Sequence, residues 1–199
     1  GESTVTAAAW QGTSLGAEGF LRLSGEYVHR NPTNRSDAPA ANAPTGANGI
    51  APHGRFGDPE VDQYTLFANA GAPLGGGWDI YGWAGYQQRD TSSAAFPRPN
   101  NAGVVQYLAA VGYPNGFLPL IETRSENVTS ALGIKGEVAG WSVDLTAGYG
   151  RNKVGFPTEN SANFSWGAAS PHSFYDGAVI YDQWTAGLDV ARQFDLLGS

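Results

Sequence analysis

The chain has 199 residues, a net charge of −7 and no cysteine. The lack of cysteine excludes disulfides and thiolate metal sites, and the negative charge argues against binding nucleic acid through a basic surface. Glycine accounts for 28 residues, about twice its usual share of ~7%, and charged residues make up only 15%. No apolar run reaches the ~18 residues of a membrane helix. The composition therefore favours an all-β protein with many turns or with a surface that faces lipid.

Alternation of apolar and polar residues predicts seven strands, because successive side chains of a strand point to opposite faces. In chain order the predicted strands are Glu2–Thr13, Gly19–Arg30, Glu60–Gly71, Trp78–Asp90, Glu126–Glu137, Trp141–Lys153 and Val179–Arg192. The connections alternate between short turns and long irregular segments. The short turns are Ser14–Glu18, Pro73–Gly77 and Ala139–Gly140, and the long segments are 31–59, 91–125 and 154–178.

In an antiparallel meander, this alternation places all short turns at one end and all long loops at the other. Outer-membrane barrels have this asymmetry, whereas irregular loops longer than ~12–15 residues are uncommon in compact soluble domains. The predicted fold is therefore an all-β antiparallel meander of about seven transmembrane strands that forms part of an outer-membrane β-barrel.

One nine-residue pattern occurs twice. Residues 78–86 and 141–149 both read W-x-[IV]-x-x-x-A-G-Y, so each segment has a Trp and a Tyr on one face, eight residues apart. This is about 26 Å along a strand, or about 20 Å of height at a tilt of ~40°, close to the ~25 Å apolar band of a barrel wall. The spacing predicts that the rings lie at the two boundaries between membrane and water.

An odd strand count is unusual, because bacterial single-chain barrels have even numbers of strands. An open sheet would also leave two unpaired edges in a medium that cannot solvate them. With no signal peptide visible at the start, we expect a fragment of a larger barrel. The alternative is a chain whose wall is completed by another polypeptide at both edge strands.

Several stretches resemble the TonB-dependent receptor family of outer-membrane transporters. They are Gly19–Arg35, Trp78–Arg89, Tyr113–Ile121, Ala147–Asn152 and Ser170–Gly177. The resemblance implies that residues 1–199 are a partial barrel segment without a plug domain, in the outer membrane of a Gram-negative bacterium. It also implies that the parent protein imports a scarce solute such as an iron chelate, cobalamin or a saccharide. The segment itself is not expected to be an enzyme.

Three groups of candidate site residues follow from the alternation. The polar faces supply lumen-facing candidates: Arg22, Glu26, Arg30, Arg89, Asp144 and Asp189. The apolar faces supply membrane-girdle aromatics: Trp78, Tyr86, Trp141, Tyr149, Tyr27 and Trp184. The long loops supply ligand-contact candidates: Phe117, Phe164, Trp166 and Tyr175. Charges that pair with one another or with water remain the simpler interpretation of the first group.

No catalytic residue, metal site or cofactor is predicted. The histidines at 29, 53 and 172 lack ligand spacing, and the acidic residues at 58, 60 and 62 lack a calcium-loop pattern, so solvated acids are favoured there. Ser170, His172 and Asp176 are residue types of a hydrolase triad, but no G-x-S-x-G elbow accompanies them.

Two other classes stay open at this point. One is a structural membrane subunit, a truncated barrel sheet packed against another assembly. The other is a soluble Gly-rich β-sandwich with a binding surface. The sandwich predicts that Trp141, Val143 and Leu145 are packed in a core, whereas a barrel wall predicts that these side chains contact lipid.

Overall fold

The computed structural model describes Ser3–Phe194 and contains a single seven-stranded antiparallel sheet in which each strand pairs with its neighbours in sequence. The strands are β1 (Thr4–Leu15), β2 (Gly19–Arg30), β3 (Glu60–Gly75), β4 (Trp78–Ala94), β5 (Leu120–Val138), β6 (Trp141–Glu159) and β7 (Phe174–Ala191). The predicted all-β meander is confirmed. The sheet is not closed into a barrel, because β1 and β7 are its two free edges.

The short turns lie at one end of the sheet and depend on left-handed backbone conformations. In the β5–β6 turn, Ala139 and Gly140 have φ values of 51° and 77°. Positive φ at both central residues is the requirement of the two-residue turn whose twist matches that of antiparallel strands. The tight turn fixes the register of the hairpin, in which Val138 lies opposite Trp141.

The long loops lie at the other end of the sheet and contain more structure than the sequence predicted. We name them L1 (31–59), L2 (95–119) and L3 (160–173). L2 contains helix α1 (Ala102–Leu108) followed by the 3₁₀ turn Ala109–Val111, and L3 contains the 3₁₀ segment Phe164–Ala169. β4, β5, β6 and β7 also extend further toward this end than the alternation predicted. At the other end, β1 continues to Leu15 and β3 to Gly75, so the turns are shorter than predicted.

The small apolar core lies at this loop end and not on the sheet. The buried apolar residues of the described chain are Val61, Leu108, Val111 and Phe117. Backbone bonds join the loops: the amide of Ala47 in L1 donates to the carbonyl of Pro114 in L2 at 2.7 Å. Neither face of the sheet is covered by a second layer among Ser3–Phe194. The sheet is thus exposed on both sides and capped at one end by packed loops.

Candidate functional site

The strand registers divide the sheet into two faces of different chemistry. The apolar face consists of the odd-numbered residues of β1, β2 and β6 and the even-numbered residues of β3, β4, β5 and β7. The polar face consists of the others. Cross-strand partners show this division: Leu23 lies opposite Ala68, Ala68 opposite Ala84, and Ala84 opposite Ser130.

The apolar face is exposed where a soluble protein would have its core. Leu145, midway between Trp141 and Tyr149 on β6, is 49% exposed, and Trp184 on the edge strand is 77% exposed. A β-sandwich would cover these side chains with a second layer, and the described residues contain no such layer.

All six predicted girdle aromatics lie on the apolar face. Toward the loops, rings of neighbouring strands contact each other: Tyr27 and Tyr64 have centroids 5.0 Å apart, and Tyr149 and Trp184 are 4.6 Å apart. We call these residues, with Tyr86, the loop-side aromatic row. Trp78 and Trp141 form the turn-side row. Between the two rows, the apolar face of the described strands carries no charged residue.

The loop-side row crosses the sheet obliquely. Tyr86 is aligned through Val128 with Arg151, so Tyr149 lies two residues nearer the short turns than a row perpendicular to the strands would place it. From β4 to β6 the aromatic row therefore shifts by two residues toward the short turns, which is one residue for each strand crossed.

The turn-side row has the same step. Trp78 is aligned through Gly136 with Val143, and Trp141 lies two residues closer to the turn. A step of ~3.3 Å per strand across a strand spacing of ~4.8 Å corresponds to an angle of about 35° between the band and the perpendicular to the strands. Between β4 and β6 the apolar band is thus parallel-sided and inclined by this angle to the perpendicular to the strands, whereas Tyr27 lies directly opposite Tyr64 and Tyr149 directly opposite Trp184, with no step.

Charged residues of the apolar face lie just beyond the loop-side aromatic row, toward the loops. Four pairs join neighbouring strands: His29–Asp62 (3.0 Å), Asp90–Arg124 (2.7 Å), Glu126–Lys153 (3.9 Å) and Arg151–Asp182 (3.9 Å). Partly exposed pairs of this kind add little stability. Their significance is positional, because they mark where the apolar face ends and where water must be present.

The pair between β2 and β3 is the most connected of the four. The carboxylate of Asp62 accepts hydrogen bonds from the Tyr27 hydroxyl at 2.7 Å and from the His29 ring at 3.0 Å, while the other His29 nitrogen contacts Asn31 Oδ1 at 3.0 Å. The Asp62 and Asn31 acceptors raise the pKa of His29, and the Tyr27 and His29 donors lower that of Asp62. Glu60 completes a group of possible metal ligands within 4.8 Å, but the hydrogen bonds already account for the arrangement.

The polar face carries all six predicted lumen-facing residues. Asp144 accepts a 2.7 Å hydrogen bond from the Tyr81 hydroxyl, and the Lys135 ammonium lies 5.9 Å from the centre of the same ring. Asp189 lies directly opposite Asp144 in the β6–β7 register. Arg30 Nε is buried and has no hydrogen-bond partner among the described residues.

A row of side-chain amides crosses the middle of the polar face, and the sequence analysis did not identify it. Asn152 donates to Asn127 at 2.5 Å, and Asn127 donates to Gln87 at 3.4 Å. The alternation in the sequence does place each of these amides on the polar face of its strand. Only the registers show that the three positions are neighbours.

The loop aromatics separate into buried and exposed groups. Phe117 is 6% exposed and stacks on Tyr113 with centroids 4.3 Å apart, and Tyr113 also contacts His172 at 4.3 Å. These rings join L2 to L3. In contrast, Trp166 in L3 is 60% exposed, and Tyr175 is 65% exposed. The assignment of Tyr175 to a long loop was wrong, because β7 begins at Phe174 and Tyr175 pairs with Pro157 of β6.

Two open grooves lie among the loops. The larger, of about 510 Å³, lies between L1 and L2 and has the rings of Phe56 and Phe96 in its wall, 5.8 Å apart. The second, of about 480 Å³, is lined by residues of L3 and of the adjoining strands, including Asn163, Phe164 and Asp176. Most residues that line the larger groove are prolines and alanines. These residue types do not indicate a binding site in a sequence, so the groove is evident only from the structure.

Comparison of the chain with known protein families, with curated proteins and with solved structures found no match. No helix within Ser3–Phe194 is sufficiently long and apolar to cross a membrane. The class defined by the structure is a seven-stranded antiparallel meander sheet, and no family is identified beyond it.

Proposed function

We propose that this chain is a segment of the wall of an outer-membrane β-barrel of the transporter class, similar to the TonB-dependent receptors. The apolar face contacts lipid in the outer membrane of a Gram-negative bacterium, the polar face lines the interior, and the loops meet the solute outside. The parent protein takes up a scarce solute such as an iron chelate, cobalamin or a saccharide. The segment has no enzymatic role in this proposal.

The inclined apolar band is the observation that carries the proposal. Strands of membrane barrels are tilted by ~35–45°, so a membrane-parallel band must cross them obliquely. From β4 to β6 the band is inclined by about 35° to the perpendicular to the strands, and its eight-residue width corresponds to about 22 Å of height at that tilt. Two aromatic rows with charges beyond one of them are the expected profile of a surface that passes from water into hydrocarbon.

The two ends of the sheet support the same orientation. Turns of two or three residues close the β1–β2, β3–β4 and β5–β6 hairpins, while L1, L2 and L3 all extend from the opposite end. Short periplasmic turns and long external loops are the usual asymmetry of such barrels. The charged pairs lie on the loop side, where external headgroups and water would surround them.

Lipid contact can be tested with single cysteines, because the chain has none of its own. Leu145→Cys and Thr146→Cys place the same fluorescent label on opposite faces of β6 at adjacent positions. In folded protein reconstituted into vesicles, brominated lipid chains should quench the label at 145 strongly and the label at 146 weakly. Equal quenching at both positions would contradict the face assignment and the membrane proposal.

The solute role rests on two exposed aromatic rings at the loop end, Trp166 in L3 and Tyr175 at the start of β7, and has a separate test. Trp166→Ala and Tyr175→Ala should lower solute uptake by the parent protein in cells while leaving its amount in the outer membrane unchanged. Phe117→Ala serves as the contrast, because this buried ring should affect loop folding first. Normal uptake in the Trp166 and Tyr175 variants would exclude these rings as contacts.

A further inference from the structure

Three successive rows of the polar face carry no charged residue from β3 to β7. Direct cross-strand pairing aligns the rows, and the row of side-chain amides described above is the one nearest the loops. We call these fifteen positions, three on each of five strands, the neutral patch. Its residues are Thr65, Phe67 and Asn69 of β3, Trp83, Gly85 and Gln87 of β4, Asn127, Thr129 and Ala131 of β5, Gly148, Gly150 and Asn152 of β6, and Tyr181, Gln183 and Thr185 of β7.

Charged side chains of the polar face lie around the neutral patch. Arg22 and Glu26 flank it on β2, Arg89 is one row nearer the loops, and Asp144 is two rows nearer the turns. A charged solute would lose water at the patch without meeting an opposite charge, and this desolvation is costly. The neutral patch therefore suits an uncharged ligand.

Two aromatic rings lie side by side in the neutral patch, on the face opposite the girdle. The rings of Phe67 and Trp83 have centroids 6.0 Å apart, and their planes differ by 25°. The two residues are 41% and 37% exposed. Nearly parallel, accessible rings can pack against the apolar faces of a ring-shaped ligand.

Uncharged hydrogen-bonding side chains make up most of the remaining patch. Each amide has two N–H donors and an oxygen with two lone pairs, so the bonds that Asn152 and Asn127 donate along their row leave capacity toward a ligand. Such a mixture of donors and acceptors matches a ligand rich in hydroxyl groups, since each hydroxyl both donates and accepts. The side chains that supply it are Asn69, Gln87, Asn127, Asn152, Gln183, Thr65, Thr129 and Thr185.

The composition of the neutral patch is less suited to a protein partner. The patch contains no valine, leucine, isoleucine, methionine or proline, whereas the core of a protein interface is apolar and desolvated. Any amide that a protein partner buried without a hydrogen bond would cost free energy.

We infer that the neutral patch binds an uncharged saccharide. The rings of Phe67 and Trp83 pack against the apolar faces of the sugar, and the amides bond its hydroxyls. The patch extends about 19 Å across the strands and about 13 Å along them, which accommodates more than one sugar unit. This inference rests on the proposed function, in which the polar face lines the interior, and it favours the saccharide among the three solutes named there.

Binding can be measured with labelled oligosaccharides and the folded chain in lipid vesicles. The probes are neutral hexasaccharides of glucose, mannose and galactose with α and β linkages, and hexagalacturonate, in which every sugar carries a carboxylate. Sedimented vesicles should retain at least one neutral hexasaccharide, and hexagalacturonate should not compete with it. Failure of all the neutral probes, or equal binding of hexagalacturonate, would overturn the inference.

Three variants locate the bound saccharide. Trp83→Ala should weaken binding by about tenfold, because one ring contact is lost. Tyr86→Ala should leave binding unchanged, since Tyr86 lies on the same strand with 38% exposure but on the apolar face. Gly150→Leu removes no contact group and adds a side chain where a Cβ would meet no atom within 4 Å, so it should fold and obstruct the patch. Unchanged binding in Trp83→Ala or in Gly150→Leu would overturn the inference, and Gly150→Leu decides alone if Trp83→Ala does not fold.

The quenching assay at positions 145 and 146, run on the same vesicles, separates this inference from the proposed function. Saccharide binding without a difference in quenching would remove the membrane proposal and leave the neutral patch as a saccharide site. A difference in quenching without saccharide binding would remove only the present inference.

Discussion

Leu145→Arg offers the most direct energetic test of the membrane-facing band. Leu145 lies four residues from both Trp141 and Tyr149, so at a tilt of about 35° it lies about 11 Å from each aromatic row, which in the proposed orientation is near the bilayer midplane. Its cross-strand neighbours are Ile134 and Leu188, both apolar. An arginine there cannot reach water without a long displacement.

The expected cost is about 2–4 kcal/mol of unfolding free energy for a cation at the midplane of a barrel wall. Thr146→Arg is the matched control, since it lies one residue away on the polar face, directly opposite Gly133 and Gly187. Denaturant unfolding in lipid vesicles, followed by tryptophan fluorescence, measures both variants. Val143→Arg, nearer the turn-side row, should cost less than Leu145→Arg.

Equal costs at positions 145 and 146 would refute the assignment of faces. A larger cost at 143 than at 145 would refute the position of the band even if the faces were correct, because the penalty for a cation falls to about 0–1 kcal/mol near the interfaces.

Three further predictions concern the loop ends of the strands, the loops and the turns. His29 should titrate above its unfolded pKa of about 6.5, because Asp62 and Asn31 accept hydrogen bonds from its ring, and Asp62→Asn should lower that value. Because the folded pKa of His29 is raised, the stability that its charge contributes is lost as pH rises through that pKa. The lowered pKa of Asp62 sets the acid limit, since the contribution of the carboxylate is lost as pH falls through its folded pKa. NMR of the His29 ring protons measures this pKa in the original protein and in Asp62→Asn. An unchanged pKa in the variant would exclude the Asp62 carboxylate as the cause of the raised value. Phe117→Ala should destabilise the loop end by about 3 kcal/mol or more, seen as faster proteolysis within L2, whereas Trp166→Ala should leave proteolysis unchanged; equal rates would contradict the burial of the Phe117 ring. Ala139→Asn should stabilise the β5–β6 hairpin by up to about 1 kcal/mol, because asparagine tolerates positive φ better than alanine; a lower denaturation midpoint would show that the turn is not of this type.

Alternation predicted the strands where apolar and polar residues exchange regularly, and it failed where charges replaced apolar residues. β2 has the predicted bounds, Gly19–Arg30, because its alternation continues to its end. β5 begins at Leu120 and not at Glu126. The prediction missed residues 120–125 because Glu122 and Arg124 occupy positions on the apolar face there. There the backbone still pairs with β4, but the hydropathy pattern that signals a strand has ended.

The same limit explains why the charged pairs were missed. Asp62, Asp90 and Arg124 share the face of Tyr64 and Tyr86, but a sequence analysis that assigns apolar residues to one face assigns charges to the other. Their even-numbered positions in β3, β4 and β5 already placed them on the same face as these tyrosines. What the sequence could not supply was the register that brings Asp90 to within 2.7 Å of Arg124, 34 residues away.

Strand direction explains why the nine-residue repeat occurs on β4 and β6. Both strands run from the turn end to the loop end, so each meets the turn-side row first and the loop-side row eight residues later. A strand of the opposite direction meets the charges first, as β7 does with Asp182 before Trp184 and β3 with Asp62 before Tyr64. The order of charge and aromatic residue along the chain therefore reverses with every strand, while its position in space stays constant. A boundary that keeps its position in space while its order along the chain reverses is expected where one interface is common to all strands, and this supports the lipid–water boundary that we propose.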